Sequence, residues 1–305
     1  MIGRSRRGSG IRDATRRRSS RTTSNDDHRR RRVAIQTANS GATSSSQREG
    51  RLLDDWRKLY DATAKSDDWL VVHRWDYDEG MAVATAEEIR GKLELQPTDR
   101  ILEVGCASGK KLSMVIHPQQ TGYGFDLCES LVARKADFVA QPERLQLGVA
   151  EAARLPVASN AFDKVFCYSV AQCFPSAAYA RDVVREMVRV CRPGGIVLMG
   201  DILGEMERHR RFLTALKLPV PLADAILWVA RPVWALRNSF RTETDGMRRR
   251  VFRRSFFRSA VAGIDCVMDF LPQIVSGRRF VKSRYDVWIR KGGADAANRA
   301  GEARR

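Results

Sequence analysis

Between residues 100 and 200 the chain repeats one pattern, a short apolar run followed by a stretch whose apolar residues recur at helical spacing. The runs fall at 100–104, 122–126, 144–147, 162–168 and 195–200, and the helical stretches at 110–116, 129–139 and 177–191. Strands that alternate with helices are joined by right-handed crossovers, which place them parallel in one sheet with helices on both faces. The pattern predicts a doubly wound α/β domain. Two helical stretches, 51–64 and 79–93, precede it. Its last helix ends in Arg192-Pro193-Gly194-Gly195, where Pro and Gly stop the helix and turn the chain into a strand beginning at Ile196. After Asp201 the alternation lapses, then resumes with a helix at 255–262, a stop at Gly263 and two strand-like runs at 264–271 and 284–291.

Charge is distributed unevenly. The 305 residues carry a formal net charge of +18, and residues 1–50 hold 13 Arg against four acids, a net of +9. That segment has almost no large apolar side chains and cannot bury enough surface to offset the entropy of ordering, so it reads as a disordered tail. Its Arg runs suit nucleic acid, anionic lipid or an organelle leader, with a solvated tail as the plain alternative. Residues 292–305 read as a second such tail. The remainder, in a chain 43% apolar overall, is long enough for one full core. A membrane-spanning helix is not expected, because the most apolar stretch, 212–236, is broken by Lys217, Asp224 and Arg231 and by three prolines. Six cysteines without a CxxC pair or a His at ligand spacing read as reduced thiols of a cytoplasmic protein, with no metal site.

The chemistry concentrates at strand ends. In Arg100-Ile101-Leu102-Glu103-Val104-Gly105-Cys106-Ala107-Ser108-Gly109 an apolar strand carries an acid and runs into a small-residue loop that lets the backbone approach a ligand closely. A carboxylate at Glu103 repels a pyrophosphate and attracts an ammonium, so the loop favours an amino-acid-like cofactor over a dinucleotide. Asp126 ends the next strand, 21 residues after Gly105, where a carboxylate accepts the two hydroxyls of a ribose. Glu151 follows the third strand, within reach of an adenine amino group. Three acids at the carboxyl ends of consecutive parallel strands converge on one crevice.

On these residues the sequence resembles the class I S-adenosylmethionine-dependent methyltransferases, in particular the ubiquinone/menaquinone-type and small-molecule group. The carriers are the loop 103–109, Asp126, the segment 151–157 followed by Asn160-Ala161-Phe162-Asp163, and Arg192-Pro193-Gly194-Gly195. The resemblance implies a Rossmann-like, seven-stranded, mostly parallel sheet with an antiparallel final strand and a helical cap insertion. It divides the chain into a methyltransferase domain at 51–291, with N-terminal helices at 51–98, a cofactor-binding core at 99–201, the cap at 202–258 and closing strands at 259–291. It implies S-adenosyl-L-methionine as cofactor. Glu103, Gly105 and Gly109 then hold its methionine end, Asp126 its ribose and Glu151 its adenine, and Cys106, Ala107, Leu127, Ala152 and Tyr168 complete the site. Two residues depart from the family pattern: Ala107 replaces a second glycine, and Glu151 replaces the more usual Asp.

The reaction implied is in-line displacement at the cofactor's methyl carbon, for which alignment and exclusion of water supply much of the acceleration. A hydroxyl acceptor would gain from a general base, for which His73, Tyr168 and Asp201 are candidates, with Asp76 nearby; Tyr77, Gln172 and Asp201 are expected to touch substrate. The segment 204–258 carries 13 Lys or Arg against five acids and two Trp, which suits a lipid acceptor and peripheral contact with anionic membrane, or a phosphorylated or carboxylated acceptor. The favoured function is methyl transfer to a small-molecule or lipid-like acceptor. RNA or protein methylation anchored by the basic tail, and a catalytically inactive binding protein, are the alternatives. Asp126→Ala is expected to weaken cofactor binding with little loss of stability, because a strand-tip carboxylate facing a crevice is not core.

Overall fold

The computed structural model of the chain describes residues 44–68, 70, 78–204, 243–244, 247–275 and 284–293. The Arg-rich segment before Ser44, the stretch with His73, Asp76 and Tyr77, residues 205–242 of the cap and the C-terminal tail lie outside the described residues. Helices α1 (Ser44–Thr63) and α2 (Glu79–Lys92) come first. The alternation then reads β1 (Ile101–Val104), α3 (Lys110–Val115), β2 (Gly122–Asp126), α4 (Glu129–Ala133), α5 (Lys135–Phe138), β3 (Leu145–Val149), β4 (Phe162–Tyr168), α6 (Ala177–Val190) and β5 (Cys191–Leu203). A small antiparallel pair, β6 (Glu243–Thr244) and β7 (Met247–Arg248), is the described secondary structure of the cap. Helix α7 (Arg254–Ala260) and strands β8 (Cys266–Leu271) and β9 (Arg284–Lys291) close the domain.

Seven strands form one sheet in the order β3-β2-β1-β4-β5-β9-β8. The first five pair in parallel, and β9 runs antiparallel to both of its neighbours. Strand order reverses between β1 and β4, and such a switch point leaves a crevice beyond the strands' carboxyl ends.

Strand periodicity decides what each face carries. Leu102 and Val104 point with Val165, Cys167, Val197 and Met199 into a core shared with α6 and α7, whose Val183, Val184, Met187 and Phe257 are buried there. Ile101 points the opposite way, with Phe166, Tyr168, Ile196 and Leu198, into a second core closed by Ile89 and Leu93 of the α2 end and Leu112 and Val115 of α3. Glu103 shares the face of Ile101, so its carboxyl enters the α3 side of the sheet. Helix α6 shows how local sequence fixes such an element. Ser176 accepts the Tyr179 amide at 2.9 Å as N-cap, and Tyr179, Val183, Met187 and Val190 form a buried stripe at helical spacing.

Several boundaries differ from the sequence reading. Helix α1 begins at Ser44, inside the segment read as tail; once the turn carrying Leu53 and Trp56 is in place, each residue added to the helix costs little. The stretch 129–139 is two short helices, parted at Arg134, whose guanidinium donates to the Ala64 carbonyl at 2.6 Å and also to the Ser66 carbonyl. β5 starts at Cys191 and absorbs Pro193 and Gly194 (φ +77°) in an irregularity of its pairing with β4, where the sequence places a helix stop and a loop.

Candidate active site

The loop after β1 is held from two directions. The Gly105 and Cys106 amides both donate to the Phe125 carbonyl, at 2.7 and 3.2 Å, and the Ala107 amide donates to Asp126 Oδ2 at 2.8 Å. Gly105 and Ala107 have φ of +79° and +49°. At Gly105 a methyl group would also meet Val170 Cγ2 at 2.5 Å, so neither the conformation nor the space admits a side chain. Ala107 adopts the same left-handed region with a Cβ, at a cost of roughly 1–2 kcal/mol, which its bond to Asp126 helps to offset. Asp126 uses its second oxygen on the amide of Cys128, the residue before α4, at 2.9 Å. Burial raises the Asp126 pKa, against the pull of those amide bonds.

At the switch point lies a cavity of about 110 Å³. Its floor and walls are Gly105, Ala107, Asp126, Leu127 and Cys128, together with Ala150 and Ala152 beyond β3 and Tyr168, Ser169 and Val170 at the end of β4. Leu53, Trp56, Arg57 and Tyr60 of α1, one face at spacings of three and four, lie over it, and Lys111, Phe125, Leu131, Cys173, Phe174 and Tyr179 complete the lining. Polar bonds hold α1 in place: Ser130 donates to Asp61 at 2.5 Å, and Arg134 grips the carbonyls past the end of α1.

Glu103 is fully buried and not part of the cavity wall; among the described residues neither carboxylate oxygen has a hydrogen-bond partner. Its nearest cation is Lys111 Nζ at 3.6 Å. Burial pushes the Glu103 pKa up to about 7, while the Lys111 charge pulls it down and Asp126 pushes it further up. Lys111, absent from the sequence-based site, is 5% exposed and lines the cavity, and it donates to the Tyr168 carbonyl at 2.9 Å. The available signal was the second lysine of Lys110-Lys111, directly before Leu112, on the face where α3 should be apolar.

The remaining expected residues divide. Asp126, Leu127, Ala152 and Tyr168 stand on the wall with Gly105 and Ala107. Cys106 and Gly109 shape the loop from behind it; a Cβ on Gly109 would meet Leu145 Cδ1 at 2.7 Å. Glu151 is exposed and outside the lining, which its neighbours Ala150 and Ala152 supply. The Tyr168 hydroxyl accepts a bond from Gln273 Nε2 at 3.2 Å within the protein. Gln172 donates to the Ser169 carbonyl at 3.0 Å and lies behind the wall. Asp201, expected near substrate, is 2% exposed, accepts the Ser169 hydroxyl at 2.6 Å and pairs with Arg284 Nη1 at 2.6 Å. It is a structural carboxylate in a buried network with Gln273 and Asp286, because β5 turns inward at its φ of +61°.

Residues 102–199 match the family described as Methyltransferase domain, and the strand order, the glycine-type loop after β1 and the acid at the tip of β2 are similar to those of class I S-adenosylmethionine-dependent methyltransferases. Over 138 residues the chain is 29% identical to 27-O-demethylrifamycin SV methyltransferase of Amycolatopsis mediterranei (strain S699), covering 42% of this chain and 49% of that protein. Over 133 residues it is 26% identical to probable tRNA methyltransferase 9B of Bos taurus, covering 44% and 27%. Among solved structures, phosphoethanolamine N-methyltransferase 1 of Haemonchus contortus superposes with a TM-score of 0.59 at 11% identity, over 81% of this chain and 50% of that one, a likeness of fold. The chain spans less than half the length of the curated relatives it matches.

Proposed function

We propose that the chain transfers a methyl group from S-adenosylmethionine to a small-molecule or lipid-like acceptor. The observation that carries this reading is the convergence of Asp126 and the left-handed Gly105-Ala107 loop on one crevice at the switch point, with the buried Glu103–Lys111 pair beneath it. The donor set fits an adenosyl amino acid. Asp126 would accept from the ribose, Gly105 and Ala107 would admit the methionine end, and Leu127, Ala152, Phe174 and Tyr179 would enclose the adenine.

The bound cofactor supplies an activated methyl group. The protein's contribution is alignment and exclusion of water by α1 and the segment 169–174. Tyr179 and Cys128 are each pushed up to about 12 by burial and so stay protonated at neutral pH, which removes them as general bases. Calorimetric titration with S-adenosylhomocysteine tests the site, and mass spectrometry of metabolites and lipids after incubation with labelled cofactor tests the reaction. Absence of both binding and a +14 Da product defeats the proposal. RNA as acceptor is the second reading, supported by the tRNA methyltransferase likeness and the Arg-rich N-terminal segment. Deletion of that segment should then lower RNA affinity and flatten its salt dependence.

A further inference from the structure

Lys111 occupies a position where a helix packed on a sheet ordinarily buries an apolar side chain. α3 turns Lys111, Leu112 and Val115 inward together. Burying an ammonium is costly unless its partners compensate, and here three groups do so: Glu103 Oε1 at 3.6 Å, the Tyr168 carbonyl at 2.9 Å and the Tyr168 ring, whose centroid is 5.4 Å from Nζ. A lysine needed only to neutralise Glu103 would be enclosed with it. Instead Lys111 forms part of the cavity wall while Glu103 stands behind that wall.

The position along the sheet adds to this. Glu103 is in β1 and Tyr168 ends β4, and these are the two strands between which the order reverses, so Lys111 Nζ bridges the floor of the crevice. Of the two charges in this pair, Lys111 lines the cavity and Glu103 does not. The Gly105 and Ala107 backbone beside it leaves room for a close approach.

We propose that Lys111 receives the α-carboxylate of the cofactor's amino-acid end, and so makes the site select for ligands that carry that carboxylate. The proposal rests on the reading of this cavity as an S-adenosylmethionine site. Glu103, in this arrangement, acts as a positioning residue that fixes Nζ at the wall and does not itself meet the ligand.

The test is calorimetric titration of the full chain with three ligands: S-adenosylhomocysteine, its decarboxylated analogue, and methylthioadenosine, which lacks the whole amino-acid end. The wild type should bind S-adenosylhomocysteine at least about tenfold more tightly than the decarboxylated analogue. In Lys111→Met/Glu103→Gln, which removes both buried charges together, that preference should disappear while affinity for methylthioadenosine stays within about twofold. If the double variant does not fold, Lys111→Met alone at pH 6, where Glu103 takes up a proton, serves the same purpose. Equal wild-type affinity for the carboxylated and decarboxylated ligands overturns the proposal, as does a variant that weakens all three ligands alike. Failure of the wild type to bind any of the three instead overturns the cofactor reading itself.

Discussion

Removing the carboxylate at the tip of β2 should cost stability as well as ligand affinity. Asp126 looks from sequence like a group facing an empty crevice, but its two oxygens hold the Ala107 amide at 2.8 Å and the Cys128 amide at 2.9 Å. One bond secures a left-handed residue in the loop after β1, and the other ties down Cys128, the residue before the short α4. A hydrogen bond to a charged group contributes about 1.5–3 kcal/mol, so Asp126→Ala forfeits two of these. Part of the loss is returned, because burial already disfavours the ionised form. The net expectation is a loss of about 2 kcal/mol for Ala and about 1 kcal/mol for Asn, which keeps one acceptor but sets an amide N–H against a backbone N–H. Urea unfolding followed by circular dichroism measures this as a shift in midpoint at constant slope. Both variants should bind S-adenosylhomocysteine at least about tenfold more weakly. An Ala variant within about 0.5 kcal/mol of the wild type would show that the two amides find equal partners in water and that the loop does not depend on Asp126.

Gly200 pairs with Tyr168 across β4 and β5, and a Cβ there would run into the Tyr168 ring, so Gly200→Ala should destabilise by about 3 kcal/mol in thermal or urea unfolding. Ala107→Gly relieves a left-handed alanine and should raise stability by about 1 kcal/mol, with unchanged stability counting against strain at that position. Glu103 has a folded pKa of about 7 against an ordinary 4.5, so the native state holds this proton more tightly than the unfolded chain does. Its contribution is greatest below pH 4.5 and falls as pH rises to 7, by up to about 3 kcal/mol, and the Glu103→Gln variant should lose that slope across pH 4.5–7. Asp201→Asn leaves Arg284 without its carboxylate in the core and should destabilise by about 3 kcal/mol; any activity loss should follow the folded fraction without moving the pH profile.

The sheet was legible because its strands are apolar and short and its connections carry helical periodicity, so Ile101, Phe166 and Leu198 declare a buried strand each without help from distant residues. What escaped depends on tertiary partners. Pro193 and Gly194 read as a break, yet β5 takes them up because the β4–β5 pairing accommodates an irregularity there. The split between α4 and α5 follows from Arg134 committing its side chain to carbonyls about seventy residues earlier, which no local window contains. The α1 face over the cavity was visible only as a helical stretch, since spacing names a helix without naming what its face covers.

For the site, the topology made the strand-tip positions predictable, and Asp126 follows directly from it. Glu103 shows where that reasoning stops. A residue in the middle of β1 can point to either face, and its consequence depends on how α3 is rotated about its own axis, a quantity set by the packing of Leu112 and Val115. That rotation brings Lys111 between the acid and the crevice, so the same carboxylate changes from a ligand for an ammonium into the counter-charge of a lysine. An acid in the strand and a cation eight residues later at an inward helical position are each ambiguous in sequence. Only their 3.6 Å separation, with Lys111 and not Glu103 in the lining, decides which of the two a ligand meets.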